Sequence, residues 1–357
     1  MANIFDYLND VAYDSFYDLP VNELDVLSLT ELTYLPFDDV VAQEPKRLID
    51  LAPQIPRETT MLTNKNRLQL LDQLSQHKRF KNCKLSNFIN DIDPELQKQF
   101  AAMTYRISLD TYLLVFRGTD DSIIGWKEDF HMTYMKEIPA QKHALQYLQD
   151  FFAQHPNQKV VLAGHSKGGN LAVYAASHLE PHLQKNIVAV YTFDAPGLHK
   201  ELTETAGYQN MMERTKVFVP QGSIIGMMLE IPDKKIVVRS TALGGIAQHD
   251  TFSWQVEDKH FIQLDKTNSD SQQVDTTFKE WVETVPDTEL QLYFDLFFGI
   301  ILDAGISSIN DLSSFKVIEH IHHLFVQAQS LTPEERETMG RLTQLLIDTR
   351  YQAWKNR

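Results

Sequence analysis

The chain is 357 residues long, 43% hydrophobic and 23% charged, which is enough to bury one large core with appended helices and excludes a disordered or fibrous protein. Its formal net charge of −15 argues against nucleic acid or an anionic membrane surface as a partner, since both need clustered Lys and Arg. The single cysteine, Cys83, excludes an intrachain disulfide and points to the cytoplasm.

Residues 1–10 carry no positive stretch ahead of a long apolar run, so no secretory signal is expected there. Residues 1–95 read as a helical N-terminal extension that packs on a core rather than forming one. Within it, Leu24, Leu27 and Glu31 follow caps at Asn22 and Asp25, and Leu68, Leu71 and Leu74 recur at helical spacing. From Gln99 the period shortens. Residues 100–107 and 112–116 read as two strands joined by the turn Ser108-Leu109-Asp110-Thr111.

Residues 139–154 form an amphipathic helix with Ala144, Leu145 and Leu148 turned inward. A short apolar run, Lys159-Val160-Val161-Leu162-Ala163, then leads into Gly164-His165-Ser166-Lys167-Gly168-Gly169. Beyond it Leu171, Tyr174 and Ala175 share one helical face. Further strands are expected over 187–193, 216–219 and 235–239. Strands alternating with helices imply a mainly parallel sheet with right-handed crossovers over a core of residues 96–270.

Residues 271–357 read as a helical C-terminal region, with helices over 278–285, 290–303 and 315–329. A last helix is opened by a capping box at Thr332-Pro333-Glu334-Glu335. The apolar window 292–306 is broken by Asp295, Gly299 and Asp303 and is too short to span a bilayer, so no transmembrane segment is expected. It reads as a buried helix that helps cap a pocket above Ser166. Glu319-His320-Ile321-His322-His323 holds one Glu-x-x-His spacing, but no second such motif exists to complete a metal site, and none is assigned.

Gly-x-Ser-x-Gly between a buried strand and a helix is the setting of a nucleophile elbow, with Ser166 exposed at a strained turn. A serine hydroxyl needs a histidine to take its proton and an acid to orient that histidine, in the chain order serine, acid, histidine. Of the 13 histidines, His249 and His260 lie in range. His249 is preferred because it follows a strand and the connection Thr241 to Gln248, whereas His260 sits inside a strand-like run. Asp194 ends the strand after the elbow helix and is the preferred acid, with Glu230 and Asp233 as alternatives. Oxyanion donors are assigned to the backbone N–H of Lys167 and, from the loop after residues 113–116, of Thr119. Arg117 in that loop is read as structural.

Phe116-Arg117-Gly118-Thr119, Trp126, Asp129 and the elbow, in this order, resemble the class 3 (fungal-type) triacylglycerol lipases over roughly residues 100–254. The Asn3-Ile4-Phe5-Asp6-Tyr7-Leu8 start and Gln248-His249-Asp250 are similar to an uncharacterised lipase-like α/β-hydrolase family of Gram-positive bacteria. The resemblance implies an α/β-hydrolase fold with helical additions at both ends. Two departures stand out. Lys167 replaces the usual leucine, placing a charge by the pocket and weakening any inference to long-chain triglyceride. Ser223 falls where class 3 lipases carry their aspartate, so the acid comes from the earlier strand, as in the pancreatic lipase family, which favours Asp194.

The expected function is serine carboxylic-ester hydrolysis of a small-molecule acyl ester, with no cofactor. A thioesterase or acyltransferase uses the same machinery. A catalytically silent hydrolase fold serving as a binding or scaffold protein is the alternative from another class.

Overall fold

A computed structural model describes residues 2–58, 64–120, 123–232, 234–245, 247–306, 324 and 326–355. Asp233, the Glu319 to His323 cluster and most of the helix expected over 315–329 lie outside the described residues.

In chain order, helices α1 (Ile4–Asp10) and α2 (Glu23–Leu32) precede the short strand β1 (Lys46–Arg47) and helix α3 (Asn64–Gln76). Strands β2 (Lys84–Asp93), β3 (Lys98–Arg106) and β4 (Thr111–Phe116) follow, then helices α4 (Ile123–His131) and α5 (Pro139–Gln154). Next come β5 (Lys159–His165), helix α6 (Lys167–His178), β6 (Ile187–Phe193), β7 (Thr215–Pro220) and β8 (Ile236–Val238). The short strands β9 (Val256–Glu257), β10 (His260–Phe261) and β11 (Gln263–Leu264) are followed by helices α7 (Ser269–Thr284), α8 (Asp287–Asp303) and α9 (Pro333–Lys355).

Among the described residues the main sheet has nine strands in the order β1-β2-β3-β4-β5-β6-β7-β8-β11. β4 through β8 are parallel, while β1 to β4 and the β8–β11 pair run antiparallel. This parallel block flanked by helices, with the elbow after its second strand, is the α/β-hydrolase fold. Among the described residues no helix is long and apolar enough to cross a membrane.

Two sequence expectations need correction. Residues 84–93, read as part of a helical extension, form the long strand β2. Its sequence, Lys-Leu-Ser-Asn-Phe-Ile-Asn-Asp-Ile-Asp, is too polar and too poor in clean alternation to announce itself, and antiparallel pairing with β3 holds it. Residues 259–264, read as one strand, divide at Ile262: β10 pairs with β9 and β11 with β8.

The N-terminal helices also do more than pack on a finished core. Leu24, Leu27, Leu70 and Leu74 join Met103, Tyr105, Leu113, Val115, Phe193 and Phe218 in one cluster on one sheet face. They share that face with Trp254 and Phe261, which pack on Phe193 and Phe218. Helix α2 is buried on all sides, which accounts for its lack of an apolar stripe. It starts at a capping box in which Asn22 accepts from Asp25 N and the Asp25 carboxylate accepts from Asn22 N. On the other face α5 and α6 bury Ala144, Leu148, Leu171 and Ala175 against Leu114, Leu162 and Val190. A third cluster ties α4 to α7, α8 and α9 through Ile123, Trp281, Phe294, Phe298 and Leu342. At the start of α9 Thr332 and Glu335 form the expected reciprocal cap.

Candidate active site

β5 delivers the chain to Ser166, whose backbone sits at φ +56°, ψ −136°, a conformation an L-residue adopts only under constraint. The constraint is tight packing of strand, turn and helix. A Cβ on Gly164 would lie 2.0 Å from the Gly168 carbonyl carbon, and one on Gly168 2.1 Å from the Phe116 oxygen, so only glycine fits either position. Ser166 N–H donates to the Phe193 carbonyl at 2.9 Å, pinning the turn to β6. Lys167 is the first residue of α6, so its amide belongs to the helix turn whose N–H groups have no intrahelical acceptor.

Asp194 directly follows β6 with φ +45°, tolerable for aspartate, and is fully buried. Its Oδ2 accepts from His249 Nδ1 at 2.6 Å, while Oδ1 accepts from Ser223 Oγ at 2.5 Å and from Gly226 N at 3.1 Å. With Nδ1 donating to the carboxylate, the basic nitrogen of neutral His249 is Nε2. Ser223 thus stands beside the acid it was read as displacing. Glu230 instead makes a backbone bridge to Leu198, and His260 bonds Glu23 Oε1 at 2.7 Å near the surface.

The loop after β4 runs against the serine: a Cβ on Gly118 would come within 3.0 Å of Ser166 Cβ. Thr119 Oγ1 donates to Asp129 Oδ2 at 2.5 Å. Burial pushes the Asp129 carboxyl up to about 6, with Lys167 and Thr119 working in the opposite direction. Arg117 donates to Asn90 Oδ1 at 2.9 Å.

Lys167 corrects the sequence reading. Its side chain is turned under α4 rather than toward the pocket, with Nζ 2.8 Å from Glu128 Oε2 and 3.1 Å from the Gln99 carbonyl. Burial opposes its charge, but Glu128 and Asp129 outweigh burial and hold the ammonium above its ordinary value. The reason is geometric: the first residue of α6 points back toward β3 and α4, not outward. Nζ also lies 3.6 Å from Asp129 Oδ1, so the charge is buried and paired one residue back from the space at Ser166.

Ser166 lines a small space of about 20 Å³ with Asp129 and the apolar side chains of Trp126, Phe130, Met132, Ile225, Met228 and Leu229, room for a single water. Leu229, at φ +63°, also lines a neighbouring groove of about 550 Å³ with Leu198, Phe278, Val282 and Val285. The aromatic stripe of α8 stands one layer back. Phe294 and Phe298 pack on Phe130 with ring centroids 4.8 and 5.6 Å apart, and do not line the space themselves.

Sequence reasoning missed Glu31, Tyr34 and His165, which sit behind the site. Tyr34 Oη contacts His165 Nδ1 at 3.1 Å, and His165 Nε2 contacts the His249 carbonyl at 3.0 Å. The available signal was a glutamate among the leucines Leu24, Leu27, Leu29, Leu32 and Leu35.

The sequence model of the Mbeg1-like family matches residues 74–299, well over half of the chain and including Ser166, Asp194 and His249. The chain belongs to the Mbeg1-like family. No curated protein matches this family member. Among solved structures it is similar to a lipase from Rhizopus microsporus var. chinensis at 16% identity and TM-score 0.37, over 58% of this chain and 72% of that one. Lipase II from Rhizopus niveus gives 18% and 0.35, over 57% and 78%. A mutant form of MDLA from Penicillium cyclopium gives 12% and 0.43, over 69% and 87%. Overlap of this extent carries no argument about function.

Proposed function

We propose that this Mbeg1-like chain is a serine carboxylic-ester hydrolase. Ser166 attacks the acyl carbonyl, His249 Nε2 takes its proton and returns it to the leaving alcohol, and Asp194 orients His249 and stabilises its charged form. The amides of Lys167 and Thr119 donate to the developing oxyanion. Water then attacks the acyl-enzyme by the same proton route and releases the acid.

The observation that carries this reading is the 2.6 Å hydrogen bond from His249 Nδ1 to buried Asp194, with Ser166, at positive φ, tied by its amide to Phe193, the residue before Asp194. An orienting carboxylate fixes the tautomer that a general base requires. Trp126, Phe130, Met132, Met228 and Leu229 beside Ser166 offer contacts to an acyl group, and Asp129 in the same lining disfavours an anionic one. A fluorophosphonate probe tests it: wild type becomes labelled at Ser166 and Ser166→Ala does not. Unreactive wild-type protein would instead favour a silent fold used for binding.

A further inference from the structure

We propose that Tyr34 and His165 are positioning residues, linked in one hydrogen-bond relay that runs from the oxyanion loop to the backbone of His249. The proposal rests on the hydrolase reading above for its kinetic consequence, but the relay itself is a matter of geometry.

Each donor in the relay can be assigned. The His249 carbonyl can only accept, so His165 Nε2, 3.0 Å away, carries a hydrogen. Burial holds this imidazole down to about 4, so near neutral pH it is uncharged and Nδ1 presents a lone pair. Tyr34 Oη, 3.1 Å from Nδ1, therefore donates to it, with the His165 carbonyl at 3.4 Å the longer of its two acceptors. The tyrosine oxygen accepts the Gly118 N–H at 3.0 Å. The order is Gly118 N–H to Tyr34, Tyr34 O–H to His165, and His165 N–H to His249.

The relay is braced from the N-terminal helices. The Arg67 guanidinium lies 4.0 Å from the centroid of the Tyr34 ring and pairs with Glu31 at 3.0 Å. Glu31 in turn accepts from Thr251 Oγ1 at 2.8 Å, two residues beyond His249. His165 also lies against His249 directly, with ring centroids 4.4 Å apart. The segment carrying the oxyanion donors and the segment carrying the base are thus spaced by side chains from α2, its C-terminal turn and β5. Fixing that spacing before substrate binds is worth rate, because small misplacements of reacting groups cost large factors.

The test uses the full-length protein and the variants Tyr34→Phe, His165→Leu, His165→Gln and the double Tyr34→Phe/His165→Leu. With a short p-nitrophenyl ester, Tyr34→Phe and His165→Leu should lower kcat about 10- to 100-fold while KM stays within about twofold. His165→Gln, whose amide can donate to the His249 carbonyl and accept from Tyr34, should recover most of the loss. The double variant should fall no further than the worse single one. Unchanged kcat, additive losses, or equal losses for Gln and Leu would overturn the proposal. A readout free of turnover accompanies these: in NMR spectra Tyr34→Phe should shift the Gly118 amide and the His249 ring nitrogens. Unmoved signals would sink the relay. Wild-type protein that resists the fluorophosphonate would sink the hydrolase reading while leaving the NMR result to decide the relay.

Discussion

Ser223 Oγ donates to Asp194 Oδ1 at 2.5 Å, across two strand ends that neighbour each other in the sheet. A hydroxyl just beyond β7 thus binds a buried carboxylate just beyond β6. The Oδ1 oxygen also accepts the Gly226 amide at 3.1 Å, leaving Oδ2 for His249.

Asp194→Asn should lower kcat for a short p-nitrophenyl ester by about four orders of magnitude, because an amide cannot impose the required tautomer on His249. Ser223→Ala should cost about tenfold, since one hydrogen bond to a charged group is lost while the Gly226 amide remains. Steady-state turnover of the two variants checks the ranking. Near-normal rates for Asp194→Asn would move the acid's role to Glu230 or Asp233.

Lys167→Met should destabilise the protein by about 3–5 kcal/mol, as it strands the buried Glu128 carboxylate without its partner. In the native arrangement Glu128 also accepts from Gln99 N at 2.9 Å and Ala140 N at 3.2 Å, so it cannot swing to water without disrupting β3 and α5. Urea denaturation monitored by circular dichroism measures the loss.

Stability should fall as pH drops from about 6.5 toward 4. Burial lowers His131 and His165 to about 4 from an ordinary 6.5, so in this window the unfolded chain binds protons that the folded chain refuses. Each contributes up to about 3 kcal/mol of loss. Asp129 opposes them: raised to about 6 from 3.8, it keeps a proton in the folded state that the unfolded chain releases, so its own contribution falls as pH rises. Two histidines outweigh one aspartate. Denaturation at pH 7 and pH 5 should therefore show the lower stability at pH 5, with a shallower fall in His131→Leu and a steeper one in Asp129→Asn.

Phe294→Ala should cost about 3–5 kcal/mol through the cavity it opens between α8 and α4. Phe294 is 4% exposed and packs on Phe130, Tyr134 and Trp281. Because Phe130 lines the space at Ser166, amide exchange in α4 should accelerate in this variant. Unchanged protection of α4 would mean that the C-terminal helices do not support the site.

The sequence by itself determined the strand, turn and helix around Ser166, because glycine spacing and a change of hydrophobic period are local signals. It also supplied the order of Ser166, Asp194 and His249, the strand end that carries Asp194 and the connection that carries His249. What it could not supply was direction and partnership across the chain. The Lys167 side chain reads as a charge at the pocket until the first turn of α6 is seen to aim it at Glu128. Strand β2 reads as connective because a polar strand is specified by its neighbour rather than by its own pattern. Glu31 and Tyr34 precede His165 by more than a hundred residues of sequence, and only the burial of α2 against the sheet brings the three to one point. Hydrogen bonds between such residues follow from tertiary packing, for which no local periodicity exists.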